Sequence, residues 1–294
     1  MIYTLRHLTT YRYAKTVRFA RCNLRLQPCD GDGQHVIGST ITVSPTPRSR
    51  QRRRDFFAID TDTLLIDTPH KEFAVEATSR IRVERVPLPE PESGPSWETL
   101  RSLALASPRL GGEGPAHFMF PSRRTPVVEA VTDYARASFP AGRSAYGGAF
   151  DLMMRIGADF RFDAKATTVS TPLADAFAKR AGVCQDFAHI MIAGLRGLGL
   201  PAAYVSGYLR TRPPPGRPRL RGADASHAWV AVWTGEAWVG LDPTNGIGVR
   251  DDHIVVARGR DYGDVAPIDG IVSSSGAQKL KVEVDVVPDG EDLP

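Results

Sequence analysis

The sequence predicts an α+β protein: an antiparallel β domain, then a helical stretch, then a second group of strands behind a helix. Three observations carry this. The first 86 residues alternate apolar and polar positions in short runs separated by Pro, Gly and Asp. The stretch PLPEPESGP, Pro87 to Pro95, then places four prolines in nine residues and suits a linker. Beyond it, apolar residues recur at helical spacing before three β-like runs close the core. The implied domains are a β domain over 1–86, a linker and helical segment over 87–158, a core over 159–266, and a C-terminal strand and tail over 267–294, placed to return to the N-terminal sheet.

Within the β domain, RCNLRLQP, GSTITVSP, FFAIDTDTLLID and EFAVEATSRIRVERV read as strands. SWETLRSLAL opens with Ser and carries Glu in its first turn, a helix start. TPVVEAVTDYARASF puts Pro126 at a first helical turn, and AFDLMMRIGADFRF reads as a helix ending near Gly157. TPLADAFAKRAG starts on Thr171-Pro172 and ends at Gly182. CQDFAHIMIAGLRGLG has Phe187, Ile190, Met191 and Leu195 at helical spacing, with Gly197 and Gly199 as a stop. AAYVSGYLR, HAWVAVW and AWVGLDP read as strands, and RTRPPPGRPRLRGADAS as an exposed loop between the first two. QKLKVEVDVVP alternates cleanly as one more strand.

Composition narrows the function classes. No apolar run approaches the ~20 residues that span a bilayer, and the opening MIYTLRHLTTYRYAK lacks an apolar signal stretch. A soluble, cytoplasmic protein with no membrane partner is expected. The three cysteines, Cys22, Cys29 and Cys184, are too few and odd in number for a disulfide framework. The net charge is +4, and the most basic tract, Arg48 to Arg54, reads as a solvated loop between strands. No aromatic platform, helix-turn-helix or finger spacing accompanies it, so no nucleic acid is expected. His117, His189 and His253, with Asp186 or Asp252, match no zinc pattern, so neither metal nor cofactor is expected.

Cys184 needs its own explanation, because it opens a helix directly after Gly182-Val183. A thiol there sits among unpaired backbone N–H groups and the positive end of the helix dipole, which favour a thiolate and an oxyanion formed beside it. A buried structural cysteine more commonly falls mid-helix. His227 opens HAWVAVW and Asp242 closes AWVGLDP, around a turn at Thr234 to Ala237. If Trp233 pairs with Trp238, His227 lies opposite Thr244 and Asp242 opposite Trp229, so His227 and Asp242 share a face one diagonal step, about 7–8 Å, apart. Asp242 can then hold the imidazole while its other nitrogen faces sulfur. Taken singly, His227 is also a routine strand-edge residue and Asp242 a routine turn residue. Together with Cys184 they form a constellation.

GVCQDFAH (Gly182 to His189), SGYLRT, ASHAWV and GLDPTNG, with the upstream FRFDAKATTVSTPLADAF, resemble the bacterial transglutaminase-like family. The early TTYRYAKTVRFARCNLRLQP resembles the β domain that precedes that core in bacteria. The resemblance implies a papain-like core, with the nucleophile helix packed on an antiparallel sheet. It implies Cys184 as nucleophile, His227 as base and Asp242 as orienting acid. Gln185, Asp186, Tyr208 and Trp229 are lesser candidates for the cleft. The expected chemistry is acyl transfer on peptide or carboxamide substrates through a thioester, with hydrolysis favoured over crosslinking. A peptide-binding module without catalysis is the rival from another class.

Overall fold

The computed structural model describes residues 1–211, 222 and 224–291. The N-terminal region begins with β1 (Ile2–Val17), β2 (Ala20–Leu24), β3 (Gln34–Ser44), β4 (Ser49–Arg54), β5 (Asp60–Ile66) and β6 (His70–Val83). The middle holds α1 (Trp97–Leu105), a 3-10 turn at Pro115–Phe118, α2 (Glu129–Arg136), α3 (Ala145–Asp159), β7 (Arg161–Phe162), α4 (Leu173–Lys179) and β8 (Ala181–Gly182). The last part runs α5 (Cys184–Gly197), β9 (Ala202–Leu209), β10 (Ala225–Trp233), β11 (Trp238–Asp242), β12 (Ile247–Gly248), β13 (His253–Gly259), α6 (Tyr262–Val265), β14 (Ile268–Val272) and β15 (Gln278–Pro288). The Pro- and Arg-rich loop expected before His227 falls largely at 212–221 and 223, outside the described residues.

Among the described residues, two sheets ordered β15-β1-β6-β3 and β14-β2-β5-β4 make a β sandwich. Its interior is Tyr13, Val17, Cys22, Leu24, Leu64, Ile66, Phe73 and Val75, the inward positions of alternating strands. The sandwich is not a contiguous 1–86 segment, since β14 and β15 supply one edge of each sheet after the core. The basic tract differs from the expected loop: it is β4, an edge strand. Its alternate arginines meet carboxylates beside them, Arg48 with Asp67, Arg50 and Arg52 with Asp62, and Arg54 with Asp60, at 2.7–3.2 Å. The exposed pairs, Arg48–Asp67 and Arg54–Asp60, add little stability, but a charged edge resists unwanted strand pairing.

The core is an antiparallel sheet ordered β12-β11-β10-β9-β13. α5 covers the face that carries Ala228, Val230, Val232 and Tyr204. α2 and α3, in the expected helical segment, lie in the same cluster through Val131, Ala135, Leu152 and Ile156. α2 approaches closely because α5 presents glycines: a Cβ on Gly197 would collide with Thr132 Oγ1. α5 ends where its glycines predict. Gly199 takes φ +78°, and Leu200 N–H donates to Leu195 O at 2.9 Å, closing a Schellman motif. α2 starts later than the Pro126 pattern suggests, because Val128 is extended at φ −128°. α3 starts earlier, at Ser144, whose hydroxyl accepts the Gly147 N–H at 2.9 Å. α4 stops at Lys179, before Gly182, because Arg180 takes φ 50°.

Sandwich and core share one apolar cluster, with Tyr3, Leu5, Ile81, Val83, Val284 and Val286 packed among core residues. A buried amide stitches them together. Gln34 Nε2 donates to Val255 O at 2.8 Å and to Cys29 O at 2.6 Å, while Gln34 Oε1 accepts from Val255 N at 2.9 Å. One side chain thus replaces a strand partner where β13 bulges between Val255 and Ala257. Gln34→Leu strands the buried Val255 N–H and leaves Val255 O only the Cys29 N–H at 3.4 Å, at a cost of about 1–3 kcal/mol. The expected result is a lower urea midpoint with an unchanged slope in equilibrium unfolding.

Candidate active site

The N-terminus of α5 is built to hold Cys184. Val183, the residue before it, has no side-chain acceptor. Asp186, one turn on, reaches back instead: its Oδ2 accepts from Val183 N–H at 2.9 Å and from Thr167 Oγ1 at 2.6 Å. Asp186 is buried, so its place is that of a helix-capping anchor with favourable charge at the dipole's positive end. Asp186 and Phe187 N–H both bond Val183 O. The N–H groups of Cys184 and Gln185 take no acceptor among the described residues, and Cys184 is half-buried. The Gln185 side chain lines the cavity beside Cys184 and donates to Val169 O at 3.3 Å.

The β10–β11 hairpin brings His227 to Asp242. Trp233 pairs with Trp238, and Thr234 N–H bonds Ala237 O at 2.9 Å around Gly235 at φ +109°. In this register the imidazole and the carboxylate meet, with His227 Nε2 2.7 Å from Asp242 Oδ2. That bond leaves Nδ1 as the nitrogen available to sulfur. Cys184 and His227 line one cavity of about 280 Å³.

Asp242 is fully buried, yet it is held as an anion. Oδ2 faces His227 Nε2, His253 Nε2 at 3.3 Å and Asn245 Nδ2 at 2.6 Å. Oδ1 accepts the N–H groups of Thr244 and Asn245 at 2.9 and 3.3 Å. Burial works against its charge, but the donors from His227, His253 and Asn245 outweigh it and hold the carboxyl well below the usual carboxylate range. For His227, burial lowers the pKa. The Asp242 hydrogen bond, the Cys184 side chain and the charges of both outweigh that and push it up to about 9.

The lesser candidates fall in different places. Trp229 is buried on the opposite side of the sheet from α5, edge-on to His253 at 5.2 Å and 6.1 Å from His227. It braces the two imidazoles and does not line the Cys184 cavity. Tyr208 lies behind the cavity wall, its hydroxyl 2.9 Å from His7 Nδ1. The histidines weighed as zinc ligands have separate partners: His117 meets Leu110 O, His189 Nε2 accepts Tyr262 N–H, and His253 joins Asp242. Among the described residues, a different trio, His227, Asp242 and His253, brings its ligand atoms within 4.8 Å of one another.

Sequence reasoning missed His253 as a partner of Asp242, though HIVVARG is a β-branched run that signals a strand beside β9. It also missed Asn245 as a donor, a residue visible within the DPTNG turn. His7 and Thr9 line the cavity from β1, and no local signal in the sequence finds them.

Comparison with known proteins matches this geometry. The profile of the bacterial transglutaminase-like N-terminal region matches residues 3–82, and that of the transglutaminase-like superfamily matches 133–243. An uncharacterised protein of Mycobacterium tuberculosis is 38% identical over 97% of this chain and 92% of its own length. One of Mycobacterium leprae is 32% identical over 95% of this chain and 96% of its own. A crystal structure from Cytophaga hutchinsonii, described as a candidate cysteine protease, has the same fold. Its TM-score is 0.72 at 20% identity, with 100% of this chain and 93% of that one covered. A helix opening on cysteine and packed on an antiparallel sheet, behind a β sandwich with its own matching profile, is the arrangement of one family: the chain belongs to the bacterial transglutaminase-like proteins.

Proposed function

We propose that this protein is a cysteine-nucleophile acyl-transfer enzyme acting on peptide or carboxamide substrates, with Cys184, His227 and Asp242 as its triad. One observation carries the reading. His227 has one nitrogen bonded to a buried, anionic Asp242, and its ring shares one cavity with a thiol at a helix N-terminus. In the scheme, Cys184 gives its proton to His227 Nδ1, and the thiolate attacks the substrate carbonyl. The Cys184 N–H, which has no acceptor among the described residues, receives the oxyanion. His227 protonates the departing amine, leaving a thioester, and then takes a proton from the attacking water. Asp242 fixes the ring and stabilises the imidazolium.

Hydrolysis is the favoured outcome. The described lining of the Cys184 cavity contains no Asp or Glu to receive the ammonium of a lysine acceptor, so water is the acceptor the site suits. Three free thiols suit a reducing, cytoplasmic setting. No described helix is long and apolar enough to cross a membrane.

The rates of Cys184 alkylation test the pair. Labelling by iodoacetamide at neutral pH is expected to be fast in the wild-type chain and slow in His227→Ala. An unactivated thiol in the wild-type chain moves the binding-module reading to the front. The upper limb carries a sign. Iodoacetate is drawn by the imidazolium, which persists until pH passes His227's value of about 9. The ratio of iodoacetate to iodoacetamide rates therefore falls through that region. In Asp242→Asn the partner charge is gone while burial remains, so the fall moves to lower pH. Once a substrate is found, Cys184→Ala abolishes turnover, and full activity in that variant would sink the scheme.

A further inference from the structure

Strand β1 changes role along its length. Its inward row is Tyr3, Leu5, His7, Thr9, Tyr11 and Tyr13. Tyr3 and Leu5 pack with the core, and Tyr13 lies inside the sandwich. Between them the apolar row is broken by two polar residues, and there the row lines the Cys184 cavity. Both are buried, His7 at 1% and Thr9 at 4% exposure.

Their hydrogen bonds have a direction. Tyr208 is buried, and its hydroxyl has one partner among the described residues, His7 Nδ1 at 2.9 Å. The phenol proton therefore goes to Nδ1. Burial lowers the pKa of His7 to about 4, so the neutral ring carries its proton on Nε2. That proton goes to Thr9 Oγ1 at 2.6 Å. The Thr9 hydroxyl oxygen is then an acceptor within the protein, and its own proton takes no acceptor among the described residues.

We propose that Thr9 is a substrate-binding residue of the acyl-transfer site: its hydroxyl, oriented by the Tyr208–His7 pair, donates to a peptide carbonyl of the substrate, beside a wall that takes an uncharged, apolar side chain. That wall is Tyr11 on β1, Leu280 and Val282 on β15 and Ile268 on β14, and no described residue lining the cavity is Asp, Glu, Lys or Arg. Val282 stands directly across from Thr9 in the sheet, so donor and apolar wall form one surface. The β sandwich thereby takes part in substrate selection. His7 and Tyr208 are positioning residues.

This inference rests on the nucleophile assigned above, and the test separates the two. N-acetyl-leucyl-leucinal and 4-methylpentanal both form hemithioacetals with a reactive thiolate and present the same apolar side chain, but only the first has peptide carbonyls. Competition with iodoacetamide labelling gives Ki for each. The full-length wild-type chain is expected to prefer the peptidyl aldehyde. Thr9→Val, which removes the hydroxyl and keeps the shape, cuts that preference about ten-fold, the scale of one lost hydrogen bond. Thr9→Ser restores it. Tyr208→Phe, which frees Nδ1 without touching the cavity, cuts it by a smaller factor and serves should Thr9→Val not fold. Rapid labelling with an undiminished preference in folded Thr9→Val, or in Tyr208→Phe where that variant stands in, overturns the Thr9 assignment alone. Slow wild-type labelling with neither aldehyde bound overturns the triad and this inference with it.

Discussion

A carboxylate sealed from water governs the centre of this molecule. Asp242 has no exposed surface, and a lone charge there would be expelled or protonated. It stays ionised because β10, β13 and the turn after β11 each bring a donor: His227, His253, and Asn245 with the Thr244 N–H. The hairpin register, the pairing of β13 along β9 and the tight turn after β11 are thus requirements of one charge. The imidazole gains its basicity from the same arrangement, since the anion that needs donors is also what holds His227 protonated.

The core of the site was legible because its signals are local. The helix start at Cys184 follows from Gly182-Val183, and the meeting of His227 with Asp242 follows from a four-residue turn between two tryptophans. What was not legible depends on long-range pairing. His253 reaches Asp242 because β13 lies along β9, more than forty residues earlier in the chain. His7 reaches the cavity because the sandwich docks on the core some two hundred residues later. β1 escaped as a strand because MIYTLRHLTTYRYAKTV mixes threonine, arginine and histidine into a row that reads as polar until its inward face is known.

The arginine tract shows the opposite limit. Its charge was read in isolation and suggested a loop. The aspartates that neutralise it stand at Asp60, Asp62 and Asp67, on β5 and just past its end. Alternating arginines opposite alternating carboxylates are strand chemistry on both sides of a pair, a pattern visible only when the two stretches are set against each other.

The two strands that finish the sandwich, β14 and β15, follow the core in the chain, and β15 pairs along most of β1. Order of synthesis therefore matters. As the chain leaves the ribosome, Cys184, His227 and Asp242 emerge before the strand that completes the wall opposite them. A core able to fold at that stage holds its thiol in an open trough, with Thr9 on a strand still lacking one neighbour. Closure of the sheet by β15 is then also the event that gives the cavity its second side.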